Sequence, residues 1–190
     1  MDRPGSESGR GLYLAAQGGV NFHQTTVNDT LDGVNITSKS KVGGFGGLKL
    51  GYVFGTALDT VRPVVELDGF YNGFSQSATA EYLGYKIDNI KVKVDSGALM
   101  ANGLVRFALG SFQPYFGAGL GGYATDETAT VGNVKGSVNQ TGFAWQLVGG
   151  VDCYVTQGVS IFTEYKFLNY VDSGDRLGQQ LVGAGVRFHF

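Results

Sequence analysis

Lys49, Arg62, Glu66, Asp68, Arg106, Asp152, Glu164, Lys166 and Arg187 are charged residues embedded in apolar, glycine-rich segments, each flanked on both sides by uncharged neighbours. Five are cations and four are anions, so their charges nearly cancel. A selectivity filter needs a ring of one sign. A near-balanced set suits mutual ion pairing and hydrogen bonding instead. The expected chemistry is therefore a pinning network, with a narrow or gated channel as the alternative. Other candidates are blander. His189 has no serine near it in sequence and reads as a polar interior residue. Asp126 with Glu127, and Asp172 with Asp175, read as solvated acidic loops, so no metal site and no cofactor are expected. Residues 43–47 (GGFGG) lack the Gly-Lys-Ser/Thr that completes a phosphate loop. The single Cys153 excludes an intramolecular disulfide and reads as a small apolar filler.

The elements that carry these charges alternate with period two, the signature of strands. In the closing segment Val182, Ala184, Val186, Phe188 and Phe190 fall on one face, and Leu181, Gly183, Gly185, Arg187 and His189 on the other. The same alternation predicts eight strands, over 11–22, 42–54, 61–73, 96–109, 112–124, 141–155, 159–170 and 178–190. Each is long enough for a tilted membrane strand, which needs about 9–11 residues in the hydrocarbon. Connections at 55–60, 110–111 and 156–158 are short, whereas 23–41, 74–95 and 125–140 are long and polar; 171–177 is intermediate. Alternation continues through residues 90–94, so hairpins can extend above the membrane before turning. The expected fold is an all-β, eight-stranded, antiparallel up-and-down transmembrane barrel with short periplasmic turns and longer extracellular loops. Residues 1–10 read as a polar tail and 11–190 as the barrel domain.

Which face meets which medium follows from bulk. Leu12, Leu14, Leu48, Leu50, Val65, Leu67, Leu99, Leu120, Leu147 and Ile161 share a face that carries no charge. The lumen of an eight-stranded barrel is just wide enough for side chains. The glycine-bearing polar face, with Gln17, Asn21, Asn102 and Gln146 beside the charges, fits that space, so the apolar face turns to lipid. Its rings gather at two heights: Tyr52, Phe54, Phe107, Phe116, Phe188 and Phe190 toward the short turns, Phe22, Tyr71, Phe143, Trp145 and Phe167 toward the loops. Two aromatic girdles are what interfacial anchoring produces. The net charge of −2 gives no argument for nucleic acid. The sequence has no run of about 18 apolar residues, hence no membrane helix.

Residues 11–20 (GLYLAAQGGV), 113–122 (QPYFGAGLGG), 143–152 (FAWQLVGGVD), 159–166 (VSIFTEYK) and 182–190 (VGAGVRFHF) resemble the eight-stranded outer-membrane barrels grouped around the OmpA transmembrane domain and the opacity-type surface proteins. Residues 62–68 (RPVVELD) also resemble surface antigens of intracellular bacteria, less specifically. The resemblance implies a Gram-negative outer-membrane location and a signal peptide, so Met1 reads as a start placed before a mature sequence. It implies that Val186, Phe188 and Phe190 form the signal read by the barrel-assembly machinery. Implied partners are outer-membrane lipid, lipopolysaccharide and that machinery, with host or matrix ligands at the loops, for a monomeric protein with a structural, surface-exposed role. His23, Asp95 and Ser96, all expected at the outer rim, are similar to the His/Asp/Ser set of the outer-membrane palmitoyltransferase. A serine becomes a nucleophile only with its base in hydrogen-bond reach. The chain also lacks an amphipathic N-terminal helix and an apolar lumen for an acyl chain, so no enzyme activity is expected.

Overall fold

Every backbone N–H and C=O inside a bilayer needs an internal partner, and strands obtain one only by closing on themselves. The chain does this. A computed structural model describes residues 10–23, 28–31, 34–40, 42–55, 60–82, 85–131, 134–171 and 176–190. Its strands are β1 (Gly11–His23), β2 (Asn28–Leu31), β3 (Val34–Ser40), β4 (Gly43–Val53), β5 (Val61–Tyr82), β6 (Tyr85–Phe107), β7 (Phe112–Val131), β8 (Val134–Tyr154), β9 (Val159–Val171) and β10 (Arg176–His189). β1, β4, β5, β6, β7, β8, β9 and β10 pair antiparallel in that order, and β10 returns to β1. Tyr13 stands across from His189 and Gln17 across from Gly185 in the closing register. A last hydrogen bond runs from the Phe190 N–H to the Leu12 carbonyl at 2.9 Å.

The second long connection continues as a paired hairpin, as the alternation through residues 90–94 predicts, and the first and third also contain strands in place of the expected loops. β5 and β6 run for 22 and 23 residues, about twice what the hydrocarbon requires, and pair from Val61↔Phe107 up to Tyr82↔Tyr85. β7 and β8 likewise stay paired up to Val131↔Val134. The first connection holds the β2–β3 hairpin, and β3 lies along the upper part of β5. At the other end the turns are tight. Gly110 adopts φ +74°, a left-handed conformation open to glycine, and the Gln113 Nε2 caps its carbonyl at 3.1 Å.

Alternation sorts the side chains as bulk demands. Leu48, Leu67, Leu99, Leu120, Leu147 and Ile161 are exposed on the outer surface. The inner face holds the charges, but it also holds Tyr13, Phe45, Phe70, Met100, Leu104, Tyr115, Phe162, Leu168 and Leu181, all buried. A lumen of charges, amides and glycines alone was too simple an expectation. Rings fit because glycines face them. A Cβ on Gly51 would lie 2.3 Å from the Tyr13 ring, and one on Gly185 2.5 Å from the Phe162 ring. Glycine at these places makes room for the ring of its register partner on the neighbouring strand, Tyr13 across from Gly51 and Phe162 across from Gly185.

Candidate functional site

The site is the lumen itself, and its parts come from nearly every spanning strand. β4 supplies Lys49, β5 Glu66 and Asp68, β8 Asp152, β9 Glu164 and Lys166, β10 Arg187 and β6 Arg106. Strand pairing sets their heights. Lys49 stands directly across from Asp68. Phe45 and Val53 lie four residues to either side of Lys49 along β4, so an apolar layer stands above the ionic one and another below. The upper layer contains Phe45, Phe70, Met100, Leu168 and Leu181; the lower contains Tyr13, Val53, Val64, Leu104, Tyr115 and Val148.

One continuous chain of ion pairs runs from the level between them to Arg106 and Asp152, which lie nearer the short-turn ends of β6 and β8 than Leu104 and Val148 of the lower layer. Lys49 Nζ lies 2.8 Å from Glu164 Oε1, 2.9 Å from Glu66 Oε1 and 3.4 Å from Asp68 Oδ2. Lys166 Nζ lies 2.5 Å from Asp68 Oδ2 and 3.4 Å from Glu164 Oε1. Arg187 pairs with Asp152 and, at 3.6 Å, with Glu66. Arg106 Nη2 sits 3.0 Å from Asp152 Oδ2 as an ion pair that falls outside hydrogen-bond geometry. Neutral groups complete the shell. The Tyr13 and Tyr115 hydroxyls donate to Glu66 at 2.6 Å and Glu164 at 2.8 Å. Gln17 donates to Asp68 at 2.6 Å, and Gln146 donates to Asn102, which donates in turn to Glu66. The Arg187 guanidinium lies 4.6 Å from the Tyr13 ring centre and 4.7 Å from that of Phe162, a cation held against π faces. Charges this deep persist only when paired, and each of these has an opposite charge within 4 Å, while Nε and Nη2 of both Arg106 and Arg187 have no hydrogen-bond partner among the described residues.

The family model described as outer membrane protein beta-barrel domain matches residues 6–190. The chain belongs to this outer-membrane barrel family. Its fold is also that of solved outer-membrane proteins. The Neisserial surface protein A structure aligns at 19% identity and TM-score 0.55, covering 94% of this chain and 97% of that one. Ail, the attachment invasion locus protein of Yersinia pestis, aligns at 16% identity and TM-score 0.53 over 95% and 100%. The N-terminal β-barrel domain of Pseudomonas aeruginosa OprF aligns at 16% identity and TM-score 0.50 over 96% and 99%. No curated protein matches the sequence. The barrel thus resides in the bacterial outer membrane, with the uncharged face in lipid.

Within this outer-membrane barrel the remaining candidates can be placed. Arg62 lies on the inner face, buried, directly across from Arg106, and has interactions of its own. Tyr52, Phe54, Tyr71, Phe116, Phe143 and Phe188 are exposed outward; Phe107, Trp145 and Phe167 are half-buried on the same surface. Phe107 stacks on Phe116 at 6.0 Å and Trp145 meets Phe167 at 5.7 Å, one pair at each height. Val186, Phe188 and Phe190 form an outward row at the short-turn end. Cys153 is exposed. Of the rim set, the structure describes the side chains of Asp95 and Ser96. Ser96 Oγ donates inward to Asn72 Oδ1 at 2.7 Å, while Asp95 faces Lys93 at 2.7 Å. The His23 side chain lies outside the described residues, as do Asp172 and Asp175. Among the described residues no cluster of His, Cys, Asp and Glu could hold a metal.

One grouping escaped the sequence. Ser160 Oγ donates to Asp152 Oδ1 at 3.2 Å and lies 3.4 Å from His189 Nε2, which also meets the Tyr154 hydroxyl at 3.1 Å. The order is wrong for a catalytic triad, because the carboxylate holds the serine and not the imidazole. Ser160 and His189 share a parity with Glu164 and Arg187 on their strands, and that shared face was the available signal.

Proposed function

We propose that this protein is a closed scaffold of the outer membrane: a non-conducting barrel that holds extracellular hairpins for contact with other surfaces. The observation that carries the first half is the buried ionic chain linking Arg106, Asp152, Arg187, Glu66, Lys49, Asp68, Lys166 and Glu164, which together with the two apolar layers occupies the lumen. A pore needs a wetted, continuous path with weak, exchangeable sites. The supporting observation for the second half is the length of the β5–β6 and β7–β8 hairpins, which carry paired strand well beyond the hydrocarbon. Ail, whose fold this chain shares, is named for attachment and invasion, and that name supports the reading. In this reading Val186, Phe188 and Phe190 serve assembly, the aromatic rows anchor the barrel among lipid and lipopolysaccharide, and the monomer has no catalytic role.

Planar-bilayer recording of the purified protein tests the closed lumen. The expected trace is a flat baseline, and a long-lived, ion-selective conductance would overturn the reading. Cells displaying the barrel are expected to attach to matrix-coated surfaces, and to lose that attachment when the upper parts of the β5–β6 and β7–β8 hairpins are cut back.

A further inference from the structure

Above the membrane the sheet opens. β3, β5, β6, β7 and β8 continue side by side, but β9 accompanies β8 only over Phe143 to Tyr154. Residues 134–142 of β8 are paired with β7 on one side, and among the described residues nothing pairs with them on the other.

Parity tells which backbone groups this leaves open. The Tyr154 N–H donates to the Ser111 carbonyl at 2.8 Å, on the β7 side, whereas the Val155 N–H donates to the Val159 carbonyl at 3.0 Å, on the β9 side. The β7–β8 register then runs from Cys153 to Val134 without a bulge. Odd-numbered residues of β8 therefore point N–H and C=O away from β7 throughout. At the open edge these are Lys135, Ser137, Asn139 and Thr141, and every residue from Gly136 to Thr141 is exposed. Natural edges are blunted by lysine, proline, charge or a bulge. Lys135 stands at the outer end of the edge, and the stretch 136–142 (GSVNQTG) below it contains none of these.

The occupant can be narrowed. Two copies upright in one membrane are related by rotation about the membrane normal. Strands tilted about 35–45° would then cross at about 70–90° and could not lie alongside each other. The strand that completes this edge thus comes from outside the membrane. Its chemistry is suggested by the neighbouring rows. Asn139 stands across from Asp126, which stands across from Asp95. Asp95 has Lys93, but Asp126 is exposed and meets no cation among the described residues. A lysine or arginine opposite Asn139 would lie two strand spacings from Asp126, about 9.6 Å between backbones, within reach of a long basic side chain.

We propose that the open edge of β8 at residues 136–142 binds an extended, lysine- or arginine-bearing segment of a soluble protein by strand addition. This deepens the contact role proposed above and rests on it. The test uses the full-length barrel in lipid nanodiscs and a fluorescein-labelled heptapeptide, Thr-Val-Thr-Lys-Thr-Val-Thr, followed by anisotropy. Saturable binding is expected. Methylating alternate backbone nitrogens of the peptide, or introducing Asn139→Pro, is expected to weaken it by about tenfold or more, since each removes edge hydrogen bonds. Asn139→Pro removes an N–H that the barrel itself does not use, so an unchanged gel shift on boiling will show that the variant folds; the N-methylated peptide probes the same contact without altering the protein. Glutamate in place of the peptide lysine, or Asp126→Asn, is expected to weaken binding several-fold. No saturable binding, binding indifferent to N-methylation, or nanodiscs joining one another through β8 would overturn the proposal. If the peptide fails while displayed cells still attach, only the edge assignment falls. If attachment fails too, the contact role falls with it.

Discussion

Lys49→Met is expected to destabilise the barrel by about 3–5 kcal/mol, the usual consequence of removing one partner from a buried ionic cluster. The reason is local and countable. One ammonium at the end of Lys49 is within 3.4 Å of Glu164, Glu66 and Asp68, and its side chain has no solvent exposure. Without it, Glu66 retains the hydroxyl of Tyr13, the amide of Asn102 and a 3.6 Å approach from Arg187, whereas Glu164 retains Tyr115 and Lys166 at 3.4 Å. Neither remaining shell neutralises three carboxylates with one lysine close by. Adding Glu164→Gln to Lys49→Met is expected to recover a substantial part of the loss, because the surplus negative charge goes with it. Urea unfolding in bilayers, read by the mobility difference between folded and boiled protein, measures both. Equal stability of wild type and Lys49→Met would mean that the network contributes nothing to holding the barrel.

The opposite surface predicts an equally large effect from adding a charge. Leu67 lies outward in the middle of the β5 span, across from Leu50 on β4 and Ala101 on β6. Leu67→Arg is expected to cost about 2–4 kcal/mol, the price of a guanidinium at mid-depth in lipid. The same change at Phe54, beyond the end of β4, is expected to cost only about 0–1 kcal/mol beyond the lost ring, since an arginine there reaches headgroups. The depth dependence is the diagnostic part. A soluble barrel would show no such gradient, because water would solvate both positions alike.

The outer surface was legible in the sequence because lipid imposes a strict rule: no charge at any position of that face within the membrane-spanning part, from Leu12 round to Phe188. The charged residues were legible for the same reason, each falling on the alternate parity. The interior rings were not. Tyr13, Phe45, Phe70, Tyr115 and Phe162 are aromatic like the girdles, and residue type alone does not say which side of a strand they occupy. Parity does: Phe45 alternates in step with Gly47 and Lys49, and Phe162 with Glu164 and Lys166. Residue type leaves them unassigned, and register places them within. The β2–β3 hairpin was also illegible. Residues 28–40 are rich in Thr, Asn and Ser with little apolar alternation, and β3 is a strand through its pairing along β5, as in Asn35↔Glu81. The proximity of Ser160, Asp152 and His189 joins three strands and has no local trace.

Contacts between lipid tails and side-chain methyl groups report the orientation of the wall directly. In nanodiscs with the barrel methyl-labelled at Ile, Leu and Val, acyl-chain methylene protons are expected to give nuclear Overhauser cross-peaks to Leu48, Leu67, Leu147, Ile161 and Val182. None is expected to Val64, Leu104, Val148, Leu168 or Leu181. Cross-peaks from the tails to this second set, with silence from the first, would contradict the account.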